Sequence, residues 1–367
     1  LPLVADYARH GRAGRSAFAG TWLGYAVANA WCYALGVLVA SVSAPGTDLV
    51  TALLLAQGGL LALGFGSGAT ASILSNTRLE WVLADLAVLS CAGVSNGIYP
   101  TDAASQVQFL CEDSGTTILF VEDDEQLDKA LEARAQLPHL RHIVVFDMKG
   151  LHGLQDPMVM SLDDLRALGR EHASRHPQAL KERVAACRPE DLAILVYTSG
   201  TTGNPKGVVY HHRGAYLNAI SNVLAGNMRK HPIYLWTLPM FHCNGLCFPW
   251  TSSVVAGTHV CLRAVRAQAM YDAIATHKVT HLCGAPIVMS TLLNAPDSEK
   301  KPLPHVVQFA TAAAPPPEAV LAAMKAAGFN VTHVYGLTEV YGPAVVNDWH
   351  AEWDALPPAE QIGRAHV

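Results

Sequence analysis

Short apolar runs rich in β-branched residues alternate with helical patterns along most of the chain beyond Ser72. Strands that are apolar throughout and separated by helices are typical of a parallel sheet covered on both faces. The sequence therefore predicts an α/β fold of layered parallel sheets flanked by helices. The predicted strands are 116–121, 142–147, 192–197, 234–238, 254–262, 280–283, 306–309 and 331–334, and the predicted helices include 123–136, 214–228, 267–276 and 317–327.

A long segment near the start of the chain is almost uncharged. Residues 16–77 contain one charged side chain, Asp48, although 15% of the whole chain is charged. Hydropathy alone nominates two membrane helices here, at 16–47 and 49–77. The flanks lack the Lys/Arg asymmetry that orients a membrane span, and the Ala/Gly/Leu/Val content resembles GC-rich DNA read out of frame. We expect a frameshifted stretch, with membrane helices or an unusually apolar soluble segment as alternatives.

Charge and cysteine usage exclude several classes of protein. A net charge of −5 gives no basic surface for nucleic acid, so no nucleic-acid partner is expected. The eight cysteines form no C-x-x-C pair and no regular framework, which is typical of reduced thiols in a cytoplasmic protein. Membrane association is not expected.

The most informative loop follows the predicted strand 192–197. Residues 198–207 (TSGTTGNPKG) supply four hydroxyl groups, three glycines and Lys206, a composition suited to wrapping a polyphosphate. The spacing differs from the P-loop pattern, because Pro205 precedes the lysine and Gly207 follows it, so a kinase or GTPase is excluded. An ordinary Gly/Thr turn is the structural alternative.

This loop resembles the signature of the adenylate-forming enzymes, the superfamily of acyl-CoA synthetases, luciferases and adenylation domains. Three further motifs follow in the family's order: 239–242 (PMFH), 312–315 (AAAP) and 335–339 (YGLTE). The resemblance implies the large N-terminal domain of such an enzyme, truncated before its C-terminal domain. It also implies a two-step reaction, in which a carboxylate and ATP form an acyl-adenylate and the acyl group then passes to coenzyme A.

The resemblance implies a role for each matching residue. The phosphates of ATP would be held by Thr198, Ser199, Gly200, Thr201, Thr202, Gly203 and Lys206. The adenine side would be formed by Ala313, Ala314, Tyr335 and Gly336, although Ala312 stands where the family usually has glycine. Thr338 would bind the α-phosphate, Glu339 would ligate Mg²⁺, and His242 would lie near the phosphate and the acyl carboxylate. A zinc site at Cys243 and Cys247 is disfavoured by their spacing.

The two halves resemble different acyl-CoA synthetases. Residues 210–360 are similar to medium-chain fatty acid and methylmercaptopropionate CoA ligases, and residues 73–205 are similar to long-chain fatty acyl-CoA ligases. Because both resemblances meet at the shared loop, we keep the hypothesis that two genes are joined there. The resemblance favours a short- to medium-chain carboxylic acid. It places the acyl pocket at Gly245, Trp250, Gly284, Ala285, Tyr341 and Gly342.

The predicted organisation has four parts. Residues 1–72 form a degenerate stretch, 73–185 a first α/β subdomain, 186–361 a second α/β subdomain with the ATP loop, and 362–367 a non-native tail. We expect a fragment that keeps the ATP-binding architecture and is impaired as a fatty acid CoA ligase. The alternatives are a nucleotide-binding fragment without ligase activity and a membrane-anchored fatty acyl-CoA ligase.

Overall fold

The computed structural model describes residues 49–198, 204–357, 360, 361 and 364, without the side chains of 49, 50 and 243–246. The helices are α1 (Leu49–Ala62), α2 (Leu79–Ser90), α3 (Ala104–Asp113), α4 (Asp124–Ala133), α5 (Leu162–Arg175), α6 (Ala179–Ala186), α7 (His212–Ala225), α8 (Cys243–Val254), α9 (Ala267–His277), α10 (Pro286–Leu293) and α11 (Glu318–Ala326). The strands are β1 (Thr70–Leu74), β2 (Val94–Ile98), β3 (Thr116–Val121), β4 (His142–Val145), β5 (Val159–Ser161), β6 (Leu192–Thr198), β7 (Lys206–His211), β8 (Ile233–Trp236), β9 (Thr258–Cys261), β10 (His281–Gly284), β11 (Val307–Thr311), β12 (Phe329–Leu337) and β13 (Gly342–Val346).

The first sheet has the strand order β5-β4-β3-β1-β2-β6-β7. All of its pairs are parallel except β6 with β7, which form an antiparallel hairpin. Buried Leu119, Val121 and Ile143 pack against apolar side chains of α3 and α4. Strands β3 and β4 are apolar along most of their length, as the sequence predicts for a parallel sheet covered by helices.

The second sheet has the order β13-β12-β11-β10-β8-β9, and only β12 with β13 is antiparallel. One face of this sheet carries Leu235, Leu282 and Phe309, which pack against α9, α10 and α11. The opposite face carries the register partners Tyr234, His281, Gln308 and Asn330. The predicted α/β fold of layered, mainly parallel sheets is confirmed.

The uncharged run after Asp48 forms part of the packed fold. Helix α1 lies so close to α5 that a Cβ atom on Gly169 would fall 1.9 Å from the Leu55 carbonyl oxygen. Strand β1 pairs with both β2 and β3 in the middle of the first sheet. Among the described residues, no helix combines the length and apolar character needed to cross a membrane. Residues 16–47, the other uncharged run, lie outside the described residues.

The structure divides the chain differently from the predicted subdomains. The predicted boundary at residue 72 falls inside β1, and the predicted boundary at 185 places β6 and β7 in the second half. In the structure both strands extend the first sheet, because β6 pairs with β2 through Ser95 with Ile194 and Asn96 with Leu195. Residues 254–257, predicted to start a strand, form the end of α8 and a turn before β9. The tail at 362–367 lies outside the described residues except for Arg364.

Aromatic and ionic contacts join the sheets. The Phe241 ring lies edge-on to Tyr99, with ring centroids 4.6 Å apart, and 6.3 Å from Trp81. Glu122, at the end of β3, is fully buried and forms ion pairs with Arg78 and with Arg263, which follows β9. Burial alone would raise the pKa of Glu122, but hydrogen bonds from Asn76 and the two guanidinium groups outweigh it and lower the pKa.

Candidate nucleotide and acyl site

The predicted phosphate loop connects the two strands of the β6–β7 hairpin. Thr198 and Lys206 are register partners at the end of the hairpin next to the loop, and Lys206 is exposed. The Tyr197 hydroxyl donates a 2.6 Å hydrogen bond to Asp113 Oδ2 on α3. Burial and this bond raise the pKa of Tyr197. The stem of the loop is thereby fixed to the first subdomain. The predicted phosphate-binding residues Ser199, Gly200, Thr201, Thr202 and Gly203 lie outside the described residues.

The second predicted nucleotide motif forms the turn between β12 and β13. Thr338 and Glu339 lie in one turn of 3₁₀ helix, Thr338 half-buried and Glu339 exposed. At the base of this turn, a Cβ atom on Gly336 would fall 1.9 Å from the Gly342 carbonyl oxygen. Only glycine lets the two strands approach this closely. The close pairing holds the turn at the edge of the sheet.

An aromatic cluster connects the hairpin to this turn. The ring of Tyr341 stacks on Tyr210 at 4.2 Å between centroids, and its hydroxyl lies 3.2 Å from His211 Nδ1. The Tyr210 hydroxyl donates a 2.5 Å hydrogen bond to the Thr338 carbonyl oxygen. The strand that follows the phosphate loop is therefore bound directly to the turn that carries Thr338 and Glu339.

The predicted adenine-side residues meet at one sheet edge. Thr311 at the end of β11 pairs with His333 on β12, so Ala313 and Tyr335 each lie two residues beyond a register pair. Tyr335 is 55% exposed, and Ala313 and Ala314 are exposed as well. An exposed aromatic ring beside small side chains leaves room for a flat base to stack.

The adenine-side turn contains a strained backbone conformation, at the residue after Ala312. Ala312 is buried, and it is Ala313 that has a positive φ, of +80°. Positive φ is unfavourable for a residue with a Cβ atom. The conformational cost in this turn therefore lies at Ala313.

His242 lies at the start of α8, half-buried, with its backbone N–H bonded to the Pro239 carbonyl. Burial lowers the pKa of its imidazole, so the ring is neutral near pH 7. A neutral ring can both donate and accept a hydrogen bond. The neighbouring Phe241 anchors this segment between the sheets, which fixes where His242 lies.

A cavity of about 300 Å³ opens along the other face of the second sheet, the face that carries Tyr234, His281 and Gln308. At the carboxyl ends of the strands it is lined by Leu238, Gly284 and Ala312, beside the adenine-side turn. One side of it is apolar, where Phe248 stacks on Tyr234, the register partner of His281, at 4.9 Å between ring centroids. The cavity and the predicted nucleotide residues thus share one edge of the sheet.

Only some of the described residues that were predicted to form the acyl pocket line the cavity. Gly284 lines the cavity. Trp250 lies beside Asp85 and Tyr341 stacks on Tyr210, and neither lines the cavity; nor do Ala285 and Gly342. Gly245 lies in the first turn of α8, within the stretch whose side-chain surroundings are not described.

The sequence analysis missed Tyr234, Cys283, Ala310 and Thr332, which share one sheet face and line the cavity. The alternation along each strand would have grouped these residues. It could not show which face of the sheet was open.

Glu339 supplies the oxygen chemistry that a magnesium site requires. Its carboxylate is exposed, and no salt bridge within the described part of the chain engages it. Mg²⁺ in nucleotide sites is held by one or two carboxylates together with phosphate oxygens. Among the described residues no cluster of three or more His, Cys, Asp or Glu side chains forms a metal site by itself. The arrangement fits a metal ion brought by a nucleotide.

Comparison with known proteins shows the family of the chain. The family model described as "AMP-binding enzyme" matches residues 52–365. The chain belongs to the AMP-binding enzyme family. Acetate/butyrate–CoA ligase AAE7 of Arabidopsis thaliana, named as peroxisomal, is 40% identical over 308 residues, which cover 81% of this chain and 53% of that protein. Acetate–CoA ligase CCL3 of Humulus lupulus is 54% identical over 177 residues, 47% of this chain and 31% of that protein. The chain thus spans about half the length of AAE7 and about a third of the length of CCL3.

Solved structures of the family share the fold. Anthranilate CoA ligase AuaEII in complex with anthranoyl-AMP superposes with a TM-score of 0.67 at 23% identity, over 82% of this chain and 56% of that chain. O-succinylbenzoate CoA synthetase from Bacillus subtilis, in complex with ATP and magnesium, gives 0.63 at 23% identity, over 83% and 57%. At these identities the likeness is one of fold.

Proposed function

We propose that the chain is the nucleotide- and acyl-binding part of an ATP-dependent acyl-CoA synthetase, an acid–thiol ligase. The observation that carries the proposal is the shared edge of the second sheet, where the cavity reaches Gly284 and Ala312 beside Tyr335. A carboxylic acid in the cavity and a nucleotide on Tyr335 would meet at this edge. The CoA-ligase names of the relatives support the same activity.

The reaction requires two anions to approach each other. A carboxylate oxygen attacks the α-phosphorus of ATP, and the bond to the bridging oxygen of pyrophosphate breaks. Lys206 and the loop 198–203 would bind the β- and γ-phosphates, and Lys206 would offset charge on the leaving pyrophosphate. Thr338 would hold the α-phosphate, and Glu339 would hold Mg²⁺, which neutralises phosphate charge when bound.

The second half-reaction would pass the acyl group to coenzyme A. The thiol attacks the acyl carbonyl carbon, the bond to the phosphate oxygen breaks, and AMP leaves. Neutral His242 would lie near the acyl carboxylate, where it can orient the substrate by donating a hydrogen bond. No side-chain nucleophile of the chain is needed in either step.

The proposed substrate is a small carboxylic acid, with medium-chain acids favoured by the cavity of about 300 Å³. Relatives are named for acetate, butyrate, 2-methylpropanoate and trans-cinnamate, all smaller or shorter than a long-chain fatty acid. The proposed location is the cytoplasm, on the cysteine pattern. Three relatives are named as peroxisomal, so a fluorescent fusion of the full gene would distinguish the compartments.

The alternative is a nucleotide-binding chain without ligase activity. Calorimetric titration with AMP and ATP, followed by pyrophosphate release with octanoate and Mg²⁺, separates the two. We expect both nucleotides to bind. Lys206→Ala should weaken ATP binding about tenfold and leave AMP binding unchanged, since only ATP has the outer phosphates. Lys149→Ala, exposed in the first subdomain, is the matched control.

Each outcome of this experiment decides one point. Binding of nucleotide without pyrophosphate release would favour the alternative. Absence of AMP and ATP binding would contradict the proposed function altogether.

A further inference from the structure

The cavity along the second sheet extends from the nucleotide edge to the opposite edge. Gly284 and His281, at the two ends of β10, both line it, and three residue steps along a strand span about 10 Å. At the far end the lining includes His281, Gln308 and Asn330, which begin or lie near the beginning of their strands. An acyl chain that starts at the nucleotide edge therefore runs toward these residues.

The far end of the cavity is rich in hydrogen-bonding groups. Asn330 Nδ2 donates a 2.7 Å hydrogen bond to Gln308 Oε1. This bond uses one polar atom of each amide, so Gln308 Nε2 can still donate and Asn330 Oδ1 can still accept. Both side chains point to the face that carries the cavity, since Gln308 and Asn330 are register partners on β11 and β12.

Charge at this end is neutral to negative. The cavity-lining residues that the structure describes include Asp348 and contain no lysine or arginine. Burial lowers the pKa of His281 and outweighs the opposing hydrogen bond with the Gly226 backbone, so its imidazole is neutral near pH 7. A distal hydroxyl or amide could bond to these groups, whereas a distal carboxylate would meet Asp348 without a cation to balance it.

We propose that the substrate is a monocarboxylic acid whose distal end carries a neutral hydrogen-bonding group, held by Gln308 and Asn330. This inference rests on the proposed function, because it takes the acyl chain to enter the cavity from the nucleotide edge. The stacked rings of Tyr234 and Phe248, which lie beside His281, contact the distal methylene groups, and the two amides select the terminus.

The test uses stable adenylate mimics, acyl-sulfamoyl adenosines, so that binding is measured without turnover. Three acyl groups of equal length are compared on the wild-type chain by calorimetry: octanoyl, ω-hydroxyoctanoyl and the ω-carboxy analogue. One or two net hydrogen bonds predict that the ω-hydroxy compound binds about three- to tenfold more tightly than the octanoyl compound. The ω-carboxy compound should bind most weakly, and Asp348→Asn should recover about two- to fivefold of its affinity.

A double variant checks the residues assigned. Gln308→Leu with Asn330→Leu removes both partners of the amide pair, a change that can be nearly neutral for folding. We expect this variant to prefer the octanoyl compound, while Gln268→Leu, an exposed change on α9, keeps the wild-type order. Equal or tighter binding of the octanoyl compound by the wild-type chain would overturn the inference, and the wild-type series decides this even if the double variant fails to fold.

Titration with AMP alone separates the two proposals. AMP binding together with octanoyl preference contradicts only the distal selection. Absence of AMP binding contradicts the proposed function on which the inference rests.

Discussion

The Tyr210 hydroxyl donates a hydrogen bond to the Thr338 carbonyl oxygen across 128 residues of sequence, with the two atoms 2.5 Å apart. Tyr210 is fully buried and stacks on Tyr341, which follows the same turn. The Tyr210 side chain therefore joins the hairpin that carries the predicted phosphate loop to the turn that carries Glu339. This contact brings together two motifs that are distant in sequence.

Removal of the Tyr210 hydroxyl should loosen this turn. The Thr338 carbonyl keeps its second bond, from the Tyr341 backbone N–H, so Tyr210→Phe should cost only about 1 kcal/mol of unfolding free energy. We expect affinity for ATP with Mg²⁺ to fall several-fold in calorimetric titration, because Thr338 and Glu339 lose their orientation. Tyr271→Phe removes a comparable hydroxyl-to-carbonyl bond on α9, far from the turn, and should leave ATP affinity unchanged. Equal losses of affinity in both variants would contradict the positioning role.

Relief of the positive φ at Ala313 should stabilise the chain. Ala313→Gly removes a left-handed conformation that is unfavourable for alanine, against the greater flexibility of glycine in the unfolded state. The expected gain is about 0.5–1 kcal/mol in urea unfolding. Ala314→Gly, at a neighbouring residue without positive φ, should instead be neutral or destabilising. A gain from both substitutions, or from neither, would argue against strain at residue 313.

Asp85 should make stability depend on pH. Burial raises its pKa from 3.8 to about 6, despite the opposing effects of Ser95 and Trp250. The folded state therefore holds a proton that the unfolded state releases, and stability falls as pH rises from about 4 to above 6. The difference between the two pKa values corresponds to about 3 kcal/mol of unfolding free energy, which is lost as the pH rises. Asp85→Asn should flatten this part of the pH profile in urea unfolding.

The exposed Asp128 on α4 provides the matched control for Asp85. Asp128→Asn should leave the pH profile of stability unchanged. A wild-type profile that rises across the same range, or one that Asp85→Asn leaves as steep as before, would contradict the raised pKa of Asp85.

Close packing of α1 on α5 tests whether the uncharged run belongs to the fold. Gly169→Ala would place a methyl group 1.9 Å from the Leu55 carbonyl oxygen, so the helices must separate. We expect a loss of about 2–3 kcal/mol in thermal or urea unfolding. Gly66→Ala, where the added methyl group meets nothing within 4 Å, should be neutral. If Gly169→Ala were also neutral, residues 49–62 would not pack as described.

Much of the fold could be predicted from local patterns. The strands 116–121, 142–145 and 281–283 follow from apolar runs, and α9 follows from helical periodicity between predicted strands. The motif residues Tyr335, Thr338 and Glu339 were identified as candidates because their sequence pattern is contiguous. Local sequence could not reveal that residues 49–74 supply a packed helix and a central strand, since a uniformly apolar run has the same composition in a membrane, in a core or in a misread gene.

The sequence by itself determined the element types, the α/β class and the candidate motifs, because these depend on residues near one another in the chain. Only the tertiary structure decided that β6 and β7 join the first sheet, that Trp250 lies beside Asp85, and that Gln308 and Asn330 line the cavity. Strand pairing and the choice of the open sheet face depend on hydrogen bonds and packing between residues far apart in sequence. Those long-range contacts are formed only when the sheets and helices assemble, so they leave no local pattern in the sequence.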